Sequence, residues 1–127
     1  HRDLKLNNIF IEYENNIKIG DFGVAAKYTD NMEKGMGTGL YAAPEQLNSN
    51  DYDYKVDMYS FGIVIFTLFA PLFKTDMEKY RTISNVKKQI IPDYVPEKYH
   101  DIINNLLDLD PSQRYDCNQL IITLFST

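Results

Sequence analysis

Residues 56–69 constrain the fold more than any other stretch, because they are apolar around nearly the whole circumference of a helix. Such a helix is stable only when other elements cover it on every side. The wider run 59–73 is the most apolar in the chain. It is shorter than the roughly 20 residues that span a bilayer, and Ser60, Gly62, Thr67 and Pro71 interrupt it. A buried core helix is therefore expected, and no membrane partner. The chain has 127 residues, 44% of them hydrophobic, which is enough for one domain built around that helix.

The remaining elements follow from local pattern. Ile9-Phe10-Ile11 and Ile17-Lys18-Ile19 are short β-branched or aromatic runs on either side of Glu14-Asn15-Asn16, a hairpin signal. Residues 24–42 keep no period and hold Gly35, Gly37 and Gly39, as a long functional loop does. A short helix is predicted over 44–47, ending at Asn48-Ser49-Asn50-Asp51. After Pro71 the mostly polar stretch 76–88 predicts an exposed helix. Pro92 and Pro96 precede another over 97–109, with Ile102, Ile103, Leu106 and Leu107 on its apolar face. Asp116 is placed to cap a last helix presenting Leu120, Ile121, Leu124 and Phe125. The fold class is α+β and mainly α-helical, with one short β-hairpin and about five helices.

Charge and cysteine content narrow the partners. A formal net charge of −5 argues against general affinity for nucleic acid or anionic lipid. The single cysteine, Cys117, excludes an internal disulfide framework and is read as a small apolar residue near the start of the last helix.

Three motifs carry the chemistry. His1-Arg2-Asp3-Leu4-Lys5-Leu6-Asn7-Asn8 matches H-R-D-L-x-x-x-N, Asp21-Phe22-Gly23 matches D-F-G, and Ala43-Pro44-Glu45 matches A-P-E. In the first, Asp3 supplies a carboxylate to orient and deprotonate an acceptor hydroxyl, and Asn8 supplies an amide oxygen. Asp21 adds a second oxygen ligand, and hard cations such as magnesium prefer oxygen. Asn and Asp are also ordinary turn residues, but that reading leaves the joint pattern unexplained. The hairpin would carry Asn8 at one end and Asp21 at the other, bringing together ligands well separated in sequence.

On these motifs the chain resembles the eukaryotic protein kinases over its whole length. The resemblance implies ATP and Mg2+ as cofactors, with Lys5, Asn8 and Asp21 around the nucleotide and Asn8 and Asp21 on the metal. Lys5 would set a positive charge beside the transferring phosphoryl group. Lys5 in H-R-D-L-K, with Thr38 after Gly37, resembles the serine/threonine branch. Residues 1–127 are then a partial kinase domain, from catalytic loop to last helix. The Gly-rich loop, the strand lysine and the helix-C glutamate of the nucleotide-gripping lobe are missing, and the chain is read as a fragment of a cytoplasmic kinase. Dimerisation through the missing lobe is left open.

Other positions resemble kinase scaffolding. Asp57, at the head of the apolar helix, would accept hydrogen bonds from the backbone of the His1-Arg2 turn. Glu45 and Arg114 match a buried ion pair tying A-P-E to the segment before the last helix. Leu6, where many kinases have proline, and Tyr59, where many have tryptophan, depart from the family.

A narrower resemblance, to the kinases of the translation initiation factor 2 alpha subunit, rests on Asn8-Ile9-Phe10, residues 41–46 and residues 73–82. It implies that a protein substrate docks on the exposed helix, with Thr75 and Glu78 as contacts. It also implies control through the activation loop. Thr38 matches one regulatory threonine, and Glu33 falls near the other, where its charge would partly replace a phosphate paired to Arg2.

Two rival classes are weighed against a kinase. A non-catalytic docking module would use the 76–88 helix alone to hold a partner. A small-molecule phosphotransferase of similar fold would lack the Glu45–Arg114 pairing. The isolated chain is expected to be inactive. Positioning by the absent lobe can contribute roughly 7–11 kcal/mol, more than the roughly 10²–10⁴ in rate, about 3–5.5 kcal/mol, that a general base such as Asp3 provides.

Overall fold

The computed structural model describes residues 4–11, 14, 16–20, 39–48 and 52–125. Among them are five α-helices and one antiparallel hairpin. Strands β1 (Ile9–Ile11) and β2 (Ile17–Ile19) pair with Ile9 opposite Ile19 and Ile11 opposite Ile17. These are the predicted runs, residue for residue. Glu14 between them has φ 63°, the left-handed value that turns tolerate.

Helix α1 (Pro44–Asn48) opens with proline at a position whose amide needs no intrahelical partner. Helix α2 (Lys55–Phe69) is the predicted core helix. Its start is closed by Asp53, whose Oδ1 accepts from Lys55 N at 2.9 Å. Its end is set by Pro71, which pushes Ala70 to an extended conformation (φ −74°, ψ 144°). Burial reaches Val56, Met58, Tyr59, Ser60 and Gly62 through Phe66. Coverage stops in the last turn, where Leu68 is 67% exposed, so the expectation of burial on all sides holds for most of the helix but not its end.

Helix α3 (Asp76–Lys87) lies mostly exposed and buries only Ile83 and Val86. Helix α4 (Glu97–Leu106) turns Ile102, Ile103 and Leu106 into the core. It packs on α2 at Gly62, where an added Cβ would lie 3.0 Å from Leu106 Cβ and Leu107 Cδ2. The predicted extension to residue 109 is not found. Asp108 Oδ1 instead accepts from Asp110 N at 2.9 Å, an Asx turn that competes with the helix, and Leu109 is left outside it, 73% exposed.

Helix α5 (Cys117–Phe125) begins with a reciprocal capping box. Asp116 Oδ1 accepts from Gln119 N at 2.8 Å and Gln119 Oε1 accepts from Asp116 N at 2.9 Å. Leu120 is buried, whereas Ile121 and Phe125 are exposed, so only part of the expected apolar face is covered. Cys117 is exposed rather than buried among apolar neighbours, although its Sγ lies 3.9 Å from Met58 Sδ. No helix among the described residues is long and apolar enough to cross a membrane.

Candidate active site

The hairpin fixes one end of the site. Leu6–Asn8 form a 3-10 turn leading directly into β1. Asn8 is buried, and its backbone is held from both sides. Its N–H donates to Lys5 O at 3.0 Å, and its carbonyl accepts from Gly20 N at 2.8 Å. Both backbone groups being occupied, the side-chain carboxamide is the part of Asn8 that differs in chemistry from any other residue placed there. The exposed Phe10 ring lies over Gly20, where an added Cβ would meet its Cε2 at 2.8 Å and the ring would have to turn aside. Asp21 is the next residue in the chain and lies outside the described residues, as do Asp3, Arg2, Glu33 and Thr38. Lys5 is half-buried and Leu4 is buried beside it.

The second centre lies at Arg114. Its guanidinium donates from Nη1 to Glu45 Oε2 at 2.7 Å and from Nη2 to Glu45 Oε1 at 2.9 Å, a bidentate fork. Nη1 also donates to Lys55 O at 3.0 Å, and Nε to Asp108 O at 2.8 Å. Lys55 Nζ returns a hydrogen bond to Arg114 O. The side chain of Arg114 is fully buried and that of Glu45 is 18% exposed. One arginine thereby joins α1, the head of α2 and the turn after α4.

Tyr59 completes that centre. The Arg114 guanidinium carbon sits 5.0 Å from its ring centroid and Lys87 Nζ 5.9 Å from it, both within cation–π range. Burial pushes the Tyr59 hydroxyl up to about 12, with Arg114 acting downward and Glu45 upward on it. Burial also brings the Lys87 ammonium down to about 8. Tyr59 thus gives the Arg114 guanidinium an aromatic face. The sequence marked Tyr59 only as a departure; a large aromatic inside a helix with no polar face was the available signal for this role.

Asp57 is half-buried in the first turn of α2, and its expected donors at His1 and Arg2 lie outside the described residues. Thr75 and Glu78 have a local job that the sequence reading passed over. Thr75 Oγ1 accepts from Glu78 N at 3.0 Å, and Glu78 Oε2 accepts from Lys74 N at 2.9 Å. Thr-x-x-Glu at a helix start has the capping-box spacing, with the Glu78 carboxylate reaching Lys74 N, one residue before the cap, in place of Thr75 N. Both residues are exposed, so capping leaves them accessible to a partner.

The hairpin lies in the sequence between the H-R-D-L-x-x-x-N and D-F-G motifs, and Glu45 of A-P-E is held by a distant arginine, as expected of a protein kinase. The family model described as protein kinase domain matches residues 1–125, and the chain belongs to that family. It is 33% identical to eukaryotic translation initiation factor 2-alpha kinase 3 of Rattus norvegicus, over 95% of this chain and 12% of that protein. It is 39% identical to eukaryotic translation initiation factor 2-alpha kinase 1 of Plasmodium falciparum, over 90% of this chain and 8% of that protein. With eIF-2-alpha kinase GCN2 of Schizosaccharomyces pombe the identity is 38%, over 95% of this chain and 9% of that protein. The chain thus spans about a tenth of the length of these relatives.

Proposed function

We propose that this chain is the acceptor-side part of an ATP-dependent serine/threonine protein kinase whose substrate is the alpha subunit of translation initiation factor 2. The observation that carries the phosphoryl-transfer reading is the bond from Gly20 N to Asn8 O. It sets the residue before Asp21 against the residue that ends the catalytic loop. An amide oxygen and a carboxylate are hard donors that suit magnesium, so Asn8 and Asp21 fit as its holders. Bound there, the ion would neutralise charge on the phosphates. Asp3 would orient the acceptor hydroxyl and take its proton, and Lys5 would offset negative charge on the transferring group.

The names of the relatives and the exposure of α3 support this substrate, with Thr75 and Glu78 as the residues that would meet the docked protein. Glu45 gripped by Arg114 favours a protein kinase over a small-molecule phosphotransferase, because it fixes the A-P-E segment that borders the acceptor side.

The test uses the intact kinase containing this chain, with labelled ATP, magnesium and purified initiation factor alpha subunit. Phosphate should enter a serine or threonine of the subunit, and Asp3→Asn should abolish it. Incorporation that persists unchanged in Asp3→Asn, or none in the unaltered kinase, would refute the reading.

A further inference from the structure

Helix α3 is tied to the rest of the molecule at both ends by a lysine over a tyrosine ring. Lys79 Nζ, one turn into the helix, lies 5.9 Å from the Tyr41 centroid. Lys87 Nζ, in the last turn, lies 5.9 Å from the Tyr59 centroid. Eight residues of helix separate the two anchors by about 12 Å. Between them Ile83 and Val86 provide the apolar contact.

The Tyr41 end has the more specific consequence. Tyr41 belongs to the strip 39–43, where Leu40, Ala42 and Ala43 are buried, so that strip cannot shift freely. Ser60 Oγ donates to Tyr41 O at 2.6 Å, fixing its backbone to the core helix. Gly39 opens the strip at φ +70°, a conformation that strongly favours glycine. The strip begins one residue after Thr38 and runs directly into α1, where Glu45 is gripped by Arg114. Lys79 itself is half-buried, and its backbone N–H donates to Thr75 O at 3.2 Å. It therefore belongs to the same turn as Thr75 and Glu78. A rigid backbone strip, an aromatic face on it and a cation from the neighbouring helix form one continuous link.

We propose that Lys79 is a positioning residue that sets the docking turn of α3 against the strip 39–43 through the ring of Tyr41. This role rests on the docking of a protein substrate on α3 proposed above. A protein held at Thr75 and Glu78 presents its acceptor hydroxyl at a distance fixed by that spacing. A short peptide, too small to reach α3, is insensitive to it. Lys79 would act on how the protein substrate is seated, and not on the transfer step.

The experiment compares Lys79→Ala, Lys79→Arg, Tyr41→Leu and the double variant Lys79→Ala/Tyr41→Leu in the intact kinase. KM and kcat are measured with the initiation factor alpha subunit, and kcat/KM with a short serine peptide. Losing this half-buried cation–π contact should raise KM for the subunit about two- to fivefold. Peptide phosphorylation by Lys79→Ala should be unchanged, and arginine at 79 should restore the normal KM. The double variant should be no worse in KM than the more affected single variant, because both remove one contact. An unchanged KM in Lys79→Ala, or additive effects in the double variant, would overturn the positioning role alone. An unaltered kinase that phosphorylates the peptide but not the subunit would instead remove the docking reading on which it rests.

Discussion

Glu45 and Arg114 meet in a two-point grip across 69 residues of chain, with the arginine fully buried and its face against Tyr59. Four N–H donations leave that guanidinium, two to a carboxylate and two to backbone carbonyls. Removing the arginine strands a largely buried carboxylate and two carbonyls together. Arg114→Ala should therefore lose about 3–5 kcal/mol in denaturant unfolding of the intact kinase domain. Arg114→Lys should recover only part of this, since an ammonium cannot reproduce the planar fork. A midpoint unmoved by Arg114→Ala would mean that the pair contributes no more than a surface salt bridge.

Gly62 marks the closest approach of α2 and α4. Alanine there gains about 0.8–1.0 kcal/mol of helix propensity, but its Cβ would sit 3.0 Å from Leu106 Cβ, an atom fixed to the backbone. Overpacking of that kind costs about 1–3 kcal/mol, so the packing term should win. Gly62→Ala should lower stability by about 1 kcal/mol net of these terms, and Gly62→Val by more. Thermal unfolding of the two variants checks the order; a stabilised Gly62→Ala would show that the helices can part without penalty.

Much of this architecture was legible in the sequence. The strands were readable because Ile9, Ile11, Ile17 and Ile19 are β-branched and flank a polar turn. The Glu45–Arg114 pair was readable because motif and spacing carried over intact. What escaped were contacts made by residues with two plausible local roles. Thr75 and Glu78 read as a docking surface, although their spacing is also a capping box. Lys79 and Lys87 fell within a stretch read only as an exposed, mostly polar helix, yet both reach aromatic rings on other elements. The end of α4 was overrun because Leu106, Leu107 and Leu109 keep an apolar rhythm, which Asp108 and Asp110 override with side-chain turns. Asp3 and Asp21 lie outside the described residues.

Lys87 gives the molecule a pH signature. Its ammonium is brought down from 10.5 to about 8 by burial, so between those values the unfolded chain binds a proton that the folded one does not. Stability from this group therefore rises with pH above about 8 and is lost as pH falls through that value. Tyr59 acts oppositely and later. Its hydroxyl is pushed up from 10 to about 12, so stability falls as pH climbs from 10 toward 12. Lys87→Met should flatten the rise between pH 8 and 10 and leave the later fall in place. Unfolding midpoints recorded across that range decide it, and identical profiles for the two proteins would rule out desolvation of the half-buried Lys87 ammonium.

Thr75 offers a way to separate capping from docking. Its hydroxyl closes the first turn of α3, and loss of such a cap costs about 1 kcal/mol, so Thr75→Ala should lower stability by that amount. Thr75→Ser keeps the oxygen and removes only a methyl group, so stability should return to within a few tenths of a kcal/mol. If Thr75 acts on the initiation factor subunit only by shaping its turn, serine should restore KM along with stability. If the exposed methyl group itself meets the docked protein, serine should restore stability while KM stays raised. The second outcome is expected, because the side chain is exposed and its oxygen is already engaged by Glu78 N at 3.0 Å, leaving the methyl as the surface a partner can cover. Measuring KM for the subunit with both variants, beside their unfolding midpoints, distinguishes the two.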